Sequence, residues 1–147
     1  MMQKIAVNLG PVQETLLIPL LGRAVETQKN NGLIQDRKAV EIVDALDYDF
    51  SKWKKSKSLG GATLRTKMFD QYVQSFLSDY PAGTVIEIGC GLNTRFERLD
   101  NGKAQWFDLA LPDSLALRRQ FFQDKPRRTK SEACVLETAW METIAAT

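Results

Sequence analysis

A chain of 147 residues, 44% hydrophobic and 26% charged, has the composition of a single globular domain. Its net charge of +2 supplies no global attraction to nucleic acid or to an anionic membrane. Histidine is absent and there are two cysteines, Cys90 and Cys134, which excludes a disulfide framework and argues against a metal site.

The elements follow in chain order. Val12 to Lys29 reads as a helix with Leu16, Leu20 and Ala24 on one face, and Pro19 must kink it or delay its start. This segment holds the most apolar stretch, Leu16 to Leu21, which is too short to cross a bilayer. No targeting series opens the sequence, so the simplest expectation is a cytoplasmic protein without a membrane partner. Asp36 is a good N-cap for a second helix, in which Ala39, Ile42, Val43 and Leu46 recur at helical spacing, and Asp47-Tyr48-Asp49-Phe50 ends it. A lysine-rich link, Lys52 to Lys57 with Trp53 inside it, is closed by Gly60-Gly61. It is read as a solvated loop in preference to a phosphate patch with a stacking aromatic, so no nucleic acid partner is expected. A third helix, Thr63 to Asp79, carries Phe69, Val73 and Phe76. A strand follows, then a short helix around 94–99, and a second strand from Ala104 to Leu109. Pro112 opens a helix through Phe122, a suitable first-turn position. Arg127, Arg128 and Lys130 form a basic spot, read as solvated. Ser131 to Leu136 is a candidate third strand, and Glu137 to Ala146 begins another helix.

The segment with the most chemical content is Val85-Ile86-Glu87-Ile88-Gly89-Cys90-Gly91. An apolar, β-branched run after Tyr80-Pro81-Ala82-Gly83 is the pattern of a central parallel strand. Gly89 and Gly91 at its end allow a tight turn and close approach of backbone to a ligand, at the point where open α/β sheets bind nucleotide-like molecules. The dinucleotide fingerprint would place Gly or Ala where Thr94 stands, which disfavours a nicotinamide or flavin cofactor. Asp108 ends the second strand nineteen positions after Gly89, a spacing suited to accepting hydrogen bonds from ribose hydroxyls. Cys90 within the loop is read as a small side chain, not a nucleophile.

The form Glu-x-Gly-x-Gly resembles the first motif of class I S-adenosylmethionine methyltransferases. Further segments extend the likeness: Gln13 to Leu20, Asp36-Arg37-Lys38-Ala39, Asp47 to Phe50, Leu64-Arg65-Thr66, Glu87 to Arg95 and Trp106-Phe107-Asp108-Leu109. Together they resemble the leucine carboxyl methyltransferase family, most closely its bacterial branch of polyketide-tailoring O-methyltransferases. The resemblance implies an α/β, Rossmann-like fold, with a helical region over 1–80 and the N-terminal half of the cofactor-binding domain over 81–147. It implies S-adenosyl-L-methionine as methyl donor, no metal, and transfer to a carboxylate or other oxygen of a small-molecule acceptor. Arg65 would grip the carboxylate of the donor's methionine end, Gly89 would contact the donor through its backbone, and Asp108 would take the ribose. Glu87 would order the loop from below. Family members continue beyond the point corresponding to Thr147, so the expectation is an incomplete three-stranded sheet with one raw edge. Two functions follow: an O-methyltransferase or its donor-binding half, or a non-catalytic fragment that self-associates along the open edge.

Overall fold

A computed structural model describes residues 4–134 and 136–147. The chain opens with a two-residue strand β1 (Ile5–Ala6) and a 3₁₀ turn over Gln13–Leu16 that leads into helix α1 (Leu17–Thr27). Pro19 therefore falls in the first turn of α1, where its missing N–H would have had no partner in the helix. It falls where the α-helix starts, directly after the 3₁₀ turn.

Helix α2 (Arg37–Ala45) begins where the sequence places it, with the Asp36 carboxylate accepting from the Ala39 N–H at 3.0 Å. Strand β2 (Leu46–Asp47) pairs parallel with β1. The lysine-rich link holds a single-turn helix α3 (Ser51–Lys54). Helix α4 (Ser58–Asp79) then starts five residues earlier than expected and takes Gly60 and Gly61 into its first turn. Packing against α1 outweighs the poor helix propensity of two glycines. At Gly22 the two helices pack too closely for a side chain. A Cβ there would lie 2.6 Å from the Thr63 hydroxyl and 3.0 Å from the Leu59 carbonyl oxygen.

The main sheet is parallel, in the order β3 (Thr84–Ile88), β4 (Gln105–Ala110), β5 (Arg128–Glu132). Helix α5 (Arg95–Leu99) lies between β3 and β4, and α6 (Pro112–Arg119) between β4 and β5. The third strand was expected at Ser131–Leu136 and instead runs from Arg128 to Glu132; Val135 lies outside the described residues. Its sequence is wholly polar, so apolar patterning gives no sign of it. Helix α7 (Ala139–Ala145) closes the chain.

One apolar core joins Leu17, Leu20 and Leu21 of α1 with Ala39 and Ile42 of α2, and reaches Leu92, Leu117 and Phe122 of the sheet half. A second core packs Leu77 of α4 and Phe96 of α5 on Val85 and Trp106, with the Phe96 and Trp106 rings edge to face at 5.5 Å. The outer face of β3 is uncovered: Ile86 and Ile88 are 40% and 52% exposed. So is a stripe of α4 at four-residue spacing, Leu64, Met68, Tyr72 and Phe76, followed by Tyr80. Among the described residues no helix is long and apolar enough to cross a membrane.

Candidate functional site around the glycine loop

The loop after β3 follows from its backbone. Gly89 and Gly91 have φ of +65° and +47°, a region that costs any residue with a Cβ about 1–2 kcal/mol. A Cβ on Gly91 would also come within 3.2 Å of Leu16. On Gly89 it would meet nothing within 4 Å, because that backbone lies open on a cavity of about 400 Å³. Cavities that hold small organic ligands span roughly 300–1,000 Å³. This one is walled by the end of β3, the start of α1, the α4 face and the end of β4. It sits at the carboxyl ends of parallel strands, where the sequence pattern places a ligand.

Three guanidinium groups line the cavity, those of Arg23, Arg65 and Arg95, and among the described lining residues there is no carboxylate. Arg23 and Arg95 are engaged. Arg23 donates to Asp36 Oδ2 at 2.8 Å, and Arg95 to Asp70 Oδ1 at 2.8 Å and to Glu87. Arg65 is exposed on α4 and makes no ion pair or hydrogen bond with the described residues. Its charge is therefore available to an anionic group in the cavity.

Of the five residues singled out in the sequence, Arg65, Gly89 and Gly91 line the cavity. Glu87 lies below the loop. Its Oε1 accepts from Asn93 Nδ2 at 2.8 Å and from Arg95, so one carboxylate ties down the residues that leave the turn. Burial pushes its carboxyl above the usual range even with the Arg95 guanidinium alongside. Asp108 is placed differently from the expectation. It is fully buried, does not line the cavity, and its Oδ2 accepts from Arg118 at 2.9 and 3.0 Å and from Arg128 at 2.7 Å. The residue of β4 that does reach the cavity is Ala110.

Arg128 corrects a second expectation. It is buried, and bridges Asp108 and Glu97 from the start of β5. Its neighbours in the basic spot are also paired, Arg127 with Asp100 and Lys130 with Asp124. Thr94, the departure from the dinucleotide pattern, is buried and its hydroxyl donates to Asp36.

Cys90 is buried at the cavity wall, and burial pushes its thiol up to about 12. A neutral thiol at ordinary pH is a poor nucleophile. In the folded chain at pH 8, iodoacetamide should modify the partly exposed Cys134 first, with Cys90 reacting only on unfolding. Mass spectrometry of the alkylated peptides checks this, and early labelling of Cys90 would contradict it.

Sequence reasoning missed Arg23 and Arg118, both buried. A signal was present for each. Arg23 falls between Leu20 and Ala24 on the apolar face of α1, and Arg118 lies between Leu115 and Phe122 at helical spacing. A charge on a buried stripe calls for a buried partner.

The family model for leucine carboxyl methyltransferase matches residues 17–146. The chain is 29% identical over 140 residues to the tetracenomycin polyketide synthesis O-methyltransferase TcmP of Streptomyces glaucescens, an alignment covering 94% of this chain and 52% of that protein. It is also 29% identical over 137 residues to the S-adenosyl-L-methionine-dependent methyltransferase dpfgK of Gibberella zeae, covering 86% of this chain and 46% of that one. The chain thus spans about half the length of the curated relatives it matches.

Proposed function

The chain belongs to the leucine carboxyl methyltransferase family, and from that premise we propose that its glycine-loop cavity binds S-adenosyl-L-methionine as the donor for methyl transfer to oxygen. The observation that carries this reading is the pairing, across one cavity, of an open Gly89 backbone with the unengaged guanidinium of Arg65. A donor with an amino-acid end needs a carboxylate partner. Arginine suits that task because its planar fork matches a carboxylate with two parallel bonds. The residues present fit that end of the molecule. No described carboxylate lines the cavity for a ribose diol, so that part is left to the loop backbone and the neutral polar side chains of the lining, Gln13, Thr15, Thr66, Asn93 and Ser114.

When bound, the donor supplies a methyl group activated on a sulfonium. The chain's own residues contribute position. Arg65 holds the anionic end, Glu87 fixes Asn93 and Arg95 below the loop, and Gly89 lets the ligand lie against the backbone. An ionised carboxylate acceptor needs no base to attack a methyl group, so alignment alone can carry much of the rate. The acceptor in this reading is a carboxylate or another oxygen of a small molecule, and a cytoplasmic location belongs to the same reading.

Calorimetric titration with S-adenosylhomocysteine, run beside NAD, tests the assignment. Saturable binding of S-adenosylhomocysteine in preference to NAD is expected. A preference for NAD, or a folded chain that binds neither, would overturn it. A second reading, self-association without catalysis, is favoured by the uncovered β3 edge and the apolar α4 stripe. Sedimentation equilibrium showing a mass that rises with concentration would support it, and a concentration-independent monomer would remove it.

A further inference from the structure

Three consecutive carbonyl oxygens of the glycine loop are each held by a buried guanidinium. Arg118 Nη1 donates to Gly91 O at 2.9 Å and to Asn93 O at 2.8 Å, and Arg23 Nη2 donates to Leu92 O at 2.7 Å. The two arginines come from opposite sides in sequence, α1 and α6, and each is balanced by one buried aspartate. Asp36 Oδ2 accepts from Arg23 Nε at 2.8 Å, and Asp108 Oδ2 accepts from both Nε and Nη2 of Arg118. Arg118 and Asp108 are fully buried, Arg23 is 2% exposed and Asp36 1%.

We infer that these two ion pairs form a clamp that sets the shape of the loop for its ligand, with Asp108 serving the site through Arg118 and not by touching the ligand. The inference rests on the donor-site reading of the cavity and adds the residues that shape it.

Four physical points carry it. A turn with two glycines at positive φ has large backbone freedom unless something outside it restrains it. The carbonyl and the following N–H of a planar trans peptide point in opposite directions, so fixing the Gly91, Leu92 and Asn93 carbonyls also fixes the next three N–H groups. Only arginine can do this at Arg118. One rigid fork with five N–H groups serves a carboxylate and two carbonyls together, where lysine has one nitrogen. Finally, buried ion pairs are seldom the most stable way to fill a core, since apolar side chains of similar volume avoid the desolvation cost. Two of them converging on three adjacent carbonyls of the cavity loop implies that loop geometry is what they maintain. In this arrangement Asp108 stands outside the cavity lining and turns its Oδ2 to two guanidiniums, leaving only the buried Oδ1 without a partner among the described residues.

The test uses the 147-residue chain labelled with ¹⁵N-glycine, as wild type, Arg118→Lys, Arg118→Met, Asp108→Asn and, as a destabilised control away from the loop, Leu77→Ala. Each folded variant is titrated with S-adenosylhomocysteine and with its 2′,3′-dideoxy analogue. The clamp predicts that Asp108→Asn and both Arg118 variants shift the Gly89 and Gly91 amide resonances and lose tenfold or more in affinity. Arg118→Lys should retain more than Arg118→Met, and Leu77→Ala should change neither resonance. The affinity ratio between the two ligands should be the same in Asp108→Asn as in wild type. A ratio that collapses in Asp108→Asn would place Asp108 on the diol and overturn the inference, as would unmoved glycine resonances in the Arg118 variants. If Arg118→Met does not fold, Arg118→Lys and the isosteric Asp108→Asn decide the question. If wild type binds neither ligand, the donor reading fails while the glycine resonances still test the clamp.

Discussion

Asp108→Ala should lower the unfolding free energy by about 3–5 kcal/mol, the range for removing one partner of a buried ion pair. The size comes from what is left behind. Asp108 is the sole carboxylate on Arg118 among the described residues and one of two on Arg128, the other being Glu97. Alanine leaves two buried guanidiniums with one carboxylate between them, and no solvent reaches Arg118 to compensate. Against a typical domain stability of about 5–15 kcal/mol, that is about a fifth or more of the whole. Urea denaturation of the two proteins measures it. Asp108→Asn should cost less, because an amide oxygen still accepts from one guanidinium. A loss below about 1 kcal/mol for the alanine variant would mean that the buried charges find other partners.

Arg65→Ala should do the opposite, leaving the fold intact and removing ligand. The side chain is exposed and bonds to none of the described residues, so its loss should change stability by no more than about 0.5 kcal/mol. Hydrogen bonds to charged groups contribute about 1.5–3 kcal/mol, which corresponds to a fall in S-adenosylhomocysteine affinity of roughly 10- to 100-fold. Arg65→Lys should fall between, since the charge survives and the paired geometry does not. Calorimetry on both variants, with thermal unfolding alongside, separates the two quantities. Unchanged affinity in Arg65→Ala would take the methionine end of the donor away from this arginine.

The two aspartates show where sequence reading works and where it stops. Asp36 is legible as a cap because its partner, the Ala39 N–H, is three residues away. Its other partners, Arg23 and Thr94, stand 13 and 58 residues distant and are joined to it only by the fold. Asp108 was found by its spacing from Gly89, but spacing fixes the end of a strand and not the partner waiting there. That partner, Arg118, is ten residues on, across a helix turn. Local rules recovered the glycine turn, β3, β4 and the Pro112 start of α6, all of which depend on β-branched runs, glycine conformation or proline geometry. They misplaced β5, whose strand state rests on pairing Trp106 to Ala110 of β4 with Arg128 to Glu132. They also shortened α4, where contact with α1 at Gly22 offsets the cost of Gly60 and Gly61.

The most direct test of the donor site is photo-crosslinking of methyl-tritiated S-adenosylmethionine to the wild-type chain, followed by peptide mapping. The account predicts label on the segment spanning residues 89–95 or on the Arg65 turn of α4, abolished by excess S-adenosylhomocysteine. Label confined to other segments, or unaffected by the competitor, would contradict it.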